Sequence, residues 1–284
     1  MKKNQYFCAT IFNMRLRLYI VLIILVFASS CSGYEKLLKS SDFDLKKAKA
    51  KEFYEGGQYV KSSELLTQIL PRYRATEEGE ELNWIYAQSY YGMKDYFMAG
   101  SYFKSFIDQF PFGKHAEEAN FLAAMCDYNI APRSELDQDN TNNAIEGFNV
   151  FMNRYPGSPK VEESRKLIKE LQEKLVEKSY LSAKLYYDMK QYKAAIVALN
   201  NSLKSYADTK YREEMMFLKL NSLYLYADKS TKNKQRERYQ AALDDYFSFM
   251  EEFPKTTYAK EVGNIFQKTN NFLKEGIPDS GVNN

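Results

Sequence analysis

The stretch Trp84 to Gly113, WIYAQSYYGMKDYFMAGSYFKSFIDQFPFG, decides the fold. Ala87 and Tyr90 precede the polar pair Lys94-Asp95, and Tyr96, Ala99, Phe103 and Phe106 follow it. Steps of three and four on each side place these residues on one stripe of a helix, so the segment reads as two helices joined by a tight turn. Pro111 lacks an amide hydrogen and ends the second helix. Small Ala99 suits the point where the two helices approach most closely.

The same cycle recurs along the chain. Breaks of similar composition occur at Phe110-Pro111-Phe112-Gly113, Tyr155-Pro156-Gly157-Ser158, Tyr206-Ala207-Asp208-Thr209 and Phe253-Pro254-Lys255-Thr256, after a degenerate Tyr73-Arg74-Ala75-Thr76. Upstream of them the small residue of the stripe recurs as Ser62, Ala99, Ala144, Ala195 and Ala242, preceded by Tyr59, Tyr96, Tyr192 or Tyr239 in four copies and by Thr141 in the third. Gly56-Gly57 and Lys190-Gln191 match the turn at Lys94-Asp95, and the small residues Gly113, Ser158, Thr209 and Thr256 are expected to cap the helices that follow. A single pair cannot bury its apolar face alone, so neighbouring pairs must stack. The expected fold is all-α, a curved solenoid of about five helix pairs. Polar inserts at Pro132 to Asn143 and Asp228 to Glu237 lengthen two of the inner turns and are expected to be loops open to partners.

The amino end has a different character. Arg15 and Arg17 precede an eleven-residue apolar run, Leu18 to Ala28, which ends in Ala28-Ser29-Ser30 before Cys31. The run is shorter than the roughly 20 residues needed to cross a bilayer, and its order of basic, apolar and small residues reads as a secretory signal. Cys31 is then the residue expected to carry lipid, whether translation begins at Met1 or Met14. Ser32 is not an acidic residue of the kind that retains lipoproteins in the inner membrane, so the expected destination is the outer membrane, facing the periplasm. On this reading 1–30 is the signal, 31–44 a lipidated linker, 45–165 and 166–275 two repeat regions, and 276–284 a disordered tail rich in Gly, Pro, Ser and Asn.

Four of the 40 basic residues (Lys2, Lys3, Arg15, Arg17) and no acid precede Cys31, so the remainder carries 36 basic against 37 acidic residues. That balance gives no electrostatic case for nucleic acid as a partner. Cys126 is left without a disulfide partner once Cys8 is removed and Cys31 lipidated, and reads as a small buried residue. Catalytic chemistry has little to work with: the single histidine, His115, has no metal-ligand spacing around it, and pairs such as Glu117-Glu118 and Glu213-Glu214 are adjacent, which points them to different parts of a helix surface. No enzyme activity and no cofactor are expected.

The cycle resembles the tetratricopeptide repeat over most of Lys46 to Phe272, with Ala87, Tyr90, Tyr96, Ala99, Phe103, Phe106 and Pro111 at that family's signature offsets and Lys94 where its turn glycine usually stands. Together with Cys31, the segments Gln109-Phe110-Pro111-Phe112-Gly113 and Arg154-Tyr155-Pro156-Gly157-Ser158 make the whole chain similar to the BamD family of outer-membrane lipoproteins. The resemblance implies a scaffold of the β-barrel assembly machinery that binds a BamA-like barrel protein, other assembly subunits and unfolded outer-membrane proteins. In tetratricopeptide repeats the first helix of each pair turns certain positions toward a groove. Those positions hold Tyr54 in the first repeat, Trp84 and Tyr91 in the second, and Tyr180 and Tyr187 in the fourth, with Lys47, Lys51, Gln88 and Lys184 beside them.

The resemblance also implies that the amino-terminal groove receives the aromatic carboxyl end of a client. It implies that the carboxy-terminal repeats hold the barrel protein, with Arg236 and Arg238 as candidate polar contacts. The alternative is a repeat lipoprotein that coordinates cell-wall synthesis or another envelope complex.

Overall fold

The structure, a computed structural model, describes residues 33–74 and 76–275. The signal segment, Cys31 and the tail 276–284 lie outside the described residues. Within them every regular element is a helix and no strand occurs. In order they are α1 (33–39), α2 (Phe43–Glu55), α3 (Tyr59–Ile69), α4 (Glu77–Gly92), α5 (Tyr96–Gln109) and α6 (Ala116–Ile130). These are followed by α7 (Asp139–Arg154), α8 (Val161–Asp188), α9 (Tyr192–Ser205), α10 (Arg212–Asp228), α11 (Lys232–Glu252) and α12 (Ala259–Glu275). The chain forms two compact units, one ending at Ile130 and the other beginning at Ala131. The all-α tetratricopeptide pairing expected from the repeats is present within each.

Inner turns repeat one backbone solution. In three of them the second residue after the first helix takes positive φ: Gly57 at 70°, Lys94 at 61° and Lys190 at 60°. The next amide reaches back five residues, from Gln58 to the Phe53 carbonyl, Asp95 to Tyr90 and Gln191 to Tyr186, at 2.7, 3.1 and 2.9 Å. These are left-handed helix stops in which only the first has the residue that adopts such a φ without strain. Each turn brings together two tyrosines five residues apart, Tyr54 with Tyr59, Tyr91 with Tyr96 and Tyr187 with Tyr192. Tyr59, Tyr96 and Tyr192 are therefore half-buried at the edge of the packing, and only Tyr239 of that series is buried.

The small residues do what their spacing implies. Ser62, Ala99, Ala144, Ala195 and Ala242 have no exposed surface, and the Ser62 hydroxyl donates to the Ala50 carbonyl at 2.8 Å, replacing the water lost on burial. Gly100 and Cys126 form another close approach between α5 and α6, where a Cβ on the glycine would lie 3.2 Å from that of the cysteine. Cys126 is wholly buried, and burial pushes its thiol up to about 12.

Breaks between pairs are set by the aromatic more than by proline. The amides of Phe110, Tyr155, Tyr206 and Phe253 all close on the carbonyl four residues back at 2.8–2.9 Å, and Tyr206, followed by Ala207, takes the same φ and ψ (−133° and 67°) as Phe253 before Pro254 (−124° and 67°). The expected caps act one step earlier than the helix start. Ser158, Thr209 and Thr256 accept from the amides of Lys160, Tyr211 and Tyr258, two residues on, while Lys160 and Tyr211 themselves stand at the N-cap positions of α8 and α10. The short side chains shape the loop and leave helix initiation to the backbone.

Both polar inserts are more ordered than open loops. Ser134 donates to Glu177 at 2.7 Å, the Lys178 ammonium reaches the Glu135 carbonyl at 2.7 Å, and Gln138 donates to the carbonyls of Arg133 and Leu136, so the first insert is held along the long helix α8. The second is mostly the start of α11, since Lys232 to Glu237 contain good helix formers and no Gly or Pro. Residues 33–39, part of the segment read as linker, form α1, whose Tyr34, Leu37 and Leu38 pack against the core of Ala50, Leu65, Leu66 and Ile69.

Candidate functional site

The groove positions in the first unit form two parallel rows. Lys47, Lys51 and Tyr54 stand on α2, and Trp84, Gln88 and Tyr91 repeat the same spacing on α4. An i, i+4, i+7 pattern keeps each row on one helix face, and the Lys47 ammonium spans the two helices to Glu78 at 3.0 Å. The rows differ in what remains available.

Trp84 is 7% exposed. Its ring lies between Phe103 and Phe106, at 5.7 and 5.8 Å, and stacks flat on His115 with centroids 4.5 Å apart. Lys47 contacts Asp44 as well as Glu78 and sits over the Tyr73 ring, and the hydrogen bond to Glu78 holds its ammonium well above the usual lysine range. Lys51 has no ion pair or hydrogen bond and is half-buried, as are Tyr54, Gln88 and Tyr91. Burial raises the Tyr54 hydroxyl, assisted by Tyr59 and by the carboxylates of Glu118 and Glu81. The accessible members of the two rows are thus one uncompensated lysine, two tyrosines and an amide, with the carboxylates of Glu81 and Glu118 near Tyr54.

The Trp84 stack is one of a series that the sequence reading did not find. Tyr180 stacks on Tyr211 at 4.3 Å with planes 4° apart, and Phe217 on Tyr258 at 4.1 Å and 5°. In each case the first ring is on the first helix of a pair and the second lies five residues after a break aromatic. In the first repeat the same two positions are Lys47 and Glu78, so a salt bridge stands in for the stack. A second recurring device uses acids. A carboxylate oxygen of Glu80 lies where a Cβ on Gly113 would come within 2.4 Å, and Glu213 accepts from the Thr256 hydroxyl at 2.7 Å and the Thr257 amide at 3.2 Å. Here the loop residue must be a glycine or supply a donor. An aromatic five residues after three of the breaks, His115, Tyr211 and Tyr258, was the signal for the stacks.

In the second unit Lys184 pairs with Glu214 at 2.8 Å and Tyr187 accepts from Asn221 at 2.7 Å. Both groove positions are therefore engaged within the unit. Arg236 is exposed, with one long bond to the Leu273 carbonyl at 3.4 Å. Arg238 bonds the Ser230 hydroxyl and sets its guanidinium carbon over the Tyr226 ring, 3.9 Å from the centroid. That ring is one wall of an open cavity of about 840 Å³ at the α8–α9 turn, which Tyr186, Val197, Lys190, Lys193 and Lys229 also line. Tyr186 is 41% exposed, and Leu185, Met189 and Val197 beside it are 56–57% exposed, although large apolar side chains elsewhere are mostly buried. No carboxylate lines the cavity. An apolar floor with a cationic rim is suited to another protein surface bearing apolar and acidic groups. Of the sequence-derived candidates, Arg238 and Tyr187 reach this place, each through a lining ring, Tyr226 and Tyr192 respectively.

Among the described residues no cluster of His, Cys, Asp and Glu could hold a metal, and no helix is long and apolar enough to cross a membrane. His115 Nε2 lies 3.2 Å from a Glu81 oxygen, and since a carboxylate only accepts, that nitrogen carries the hydrogen of the bond.

No curated protein matches the chain. Among solved structures, the TPR2A-B domain of yeast Sti1 in its pHSP90 complex is similar over 81% of this chain and 99% of its own, at 13% identity and a TM-score of 0.37, a distance at which the likeness does not bear on function. The model of the YfiO family, described as outer membrane lipoprotein, matches residues 46–237, which takes in all of α3 to α10 and most of α2. With its tetratricopeptide helix pairs and a match over most of its length, the chain belongs to the YfiO (BamD) family of outer membrane lipoproteins.

Proposed function

We propose that this protein is a non-enzymatic scaffold of β-barrel assembly, tethered to the outer membrane through lipid on Cys31 and facing the periplasm. Its second unit holds a BamA-like barrel protein, and its first unit receives the carboxyl ends of unfolded outer-membrane proteins. The observation that carries the reading is the lysine-rimmed apolar cavity at the α8–α9 turn, where Tyr186 and Val197 are displayed to solvent. Burying such side chains against a partner contributes about 25 cal/mol for each Å² removed from water, while Lys190, Lys193 and Lys229 select for acidic neighbours and steer the approach. Arg238 serves this surface by holding the Tyr226 ring in place.

In the first unit, Lys51 takes the client carboxylate and Tyr54 and Tyr91 flank the terminal aromatic, with Gln88 bonding the peptide backbone. Trp84 acts beneath them as the packed floor.

Affinity purification of the tagged protein from detergent-solubilised outer membrane tests the proposal. Recovery of a large barrel protein carrying periplasmic repeats supports it, and recovery of wall synthases without such a protein refutes it.

A further inference from the structure

A second cavity, of about 570 Å³, opens between α1, α2 and α3. Its size falls within the range of about 300–1,000 Å³ usual for ligand pockets. Tyr34, Leu45 and Phe53 give it apolar surface, Lys36, Lys49 and Lys61 surround it, and no carboxylate lines it. The nearby acids are already engaged or directed elsewhere: Glu52 pairs with Lys49 at 2.7 Å, and Glu64 accepts from the Tyr34 hydroxyl. Glu35 is exposed on α1. Lys61 lies over the Tyr34 and Phe53 rings at 5.5 and 5.3 Å, with its ammonium hydrogen-bonded to Gln58, so its charge is fixed at the cavity wall. Lys36 is exposed and makes no ion pair or hydrogen bond. Leu45 is 44% exposed at the same place, an apolar side chain set among cations.

Gly33 also lines the cavity. Only Ser32 lies between it and Cys31, and two steps of chain span at most about 7 Å. A lipid on Cys31 would therefore hold this opening at the depth of the membrane headgroups. Two lysines without a carboxylate partner, Lys36 and Lys61, and a third, Lys49, shared with Glu52, stand beside exposed leucine and aromatic surface and match one ligand at that depth, a phosphodiester headgroup with the upper part of its acyl chains.

We propose that this cavity binds the headgroup of an anionic phospholipid and so orients the first unit on the membrane surface. The orienting role rests on the reading of Cys31 as the lipid-bearing residue, whereas binding itself does not. A lipid anchor alone leaves the protein free to swivel, and a headgroup held between α1 and α3 fixes which face of the first unit meets the bilayer.

The test is native mass spectrometry of the full mature chain released from neutral detergent, titrated with dioctanoylphosphatidylglycerol, dioctanoylphosphatidylcholine and inorganic phosphate. Phosphatidylglycerol is expected to bind at least tenfold more tightly than phosphatidylcholine, and inorganic phosphate at least tenfold more weakly than phosphatidylglycerol. The Lys36→Gln/Lys49→Gln/Lys61→Gln variant should lose that preference. Lys36→Gln alone changes an exposed side chain that the fold does not use, and should weaken phosphatidylglycerol about threefold with unchanged thermal melting. Equal affinity for the two lipids, full affinity in both variants, or phosphate binding as tight as lipid would each overturn the proposal, the last by pointing to a free-anion site. The mass of the mature chain reports acylation of Cys31 in the same spectra, so failure of the anchor and failure of the headgroup site are read separately.

Discussion

Trp84 and His115 lie face to face, their centroids 4.5 Å apart and their planes within 3° of parallel. The contact joins the first helix of one pair, α4, to the residue just ahead of the next pair's first helix, α6. It is a joint between repeats, which a ligand could reach only by displacing it. Trp84→Ala should therefore destabilise the first unit by about 3–5 kcal/mol through loss of a buried ring, and His115→Ala by about 1 kcal/mol. A double-mutant cycle in urea should show coupling of about 0.5–1.5 kcal/mol, and additive losses would refute the joint.

Lys94 and Lys190 occupy left-handed turns at φ of 61° and 60°. A side chain there costs roughly 1–2 kcal/mol, partly offset by the greater freedom glycine has when unfolded. Lys94→Gly and Lys190→Gly should each stabilise by about 0.5–1 kcal/mol, measured as a higher denaturant midpoint at unchanged slope.

The raised thiol pKa and complete burial of Cys126 make it inert. Iodoacetamide at pH 8 should leave Cys126 unmodified in the native protein and alkylate it fully in guanidinium. Peptide mapping of both samples decides the matter, and rapid native labelling would show that α5 and α6 separate readily.

Arg212 holds Glu252 through a two-pronged contact, its second bond 2.9 Å long. That contact keeps the Glu252 carboxyl below the usual range. Its stabilising effect is complete above the unfolded glutamate value of about 4.3 and fades as pH falls toward the lower folded value. The second unit should lose stability in that window, and Glu252→Gln should lose less of it. Urea titrations at pH 7, 4 and 3 compare the two.

Val197 is 56% exposed at the α8–α9 cavity. Val197→Asp should leave melting unchanged and lower recovery of the barrel partner at least tenfold in the affinity purification. Undiminished recovery would move the docking surface elsewhere.

Periodicity, bounded by the recurring turns and aromatic breaks, located the paired helices, because steps of three and four have one structural meaning and the small residues at Ser62, Ala99, Ala144, Ala195 and Ala242 stand at their closest approach. The inserts were harder. Pro132 to Asn143 reads as loop because its anchors, Glu177 and Lys178, lie more than forty residues away. Lys232 to Glu237 is polar all round yet helical, since exposed helix turns need no apolar stripe. Trp84 reads as a groove residue from its register, but its environment depends on His115, which only the folded loop brings near. The cavities at Tyr186 and at Lys36 join side chains from two or three helices with no shared spacing, so no linear pattern announces them.

The grip of Glu80 on the loop at Gly113, repeated by Glu213 at Thr256, has a practical corollary for dissecting this molecule. A fragment cut at the end of α5 would keep Glu80 and Trp84 but discard what each one holds, leaving an idle carboxylate and a bare indole. Shortened versions should run at least through His115, and a hairpin transplanted from elsewhere will dock cleanly only if it arrives with its own leading loop.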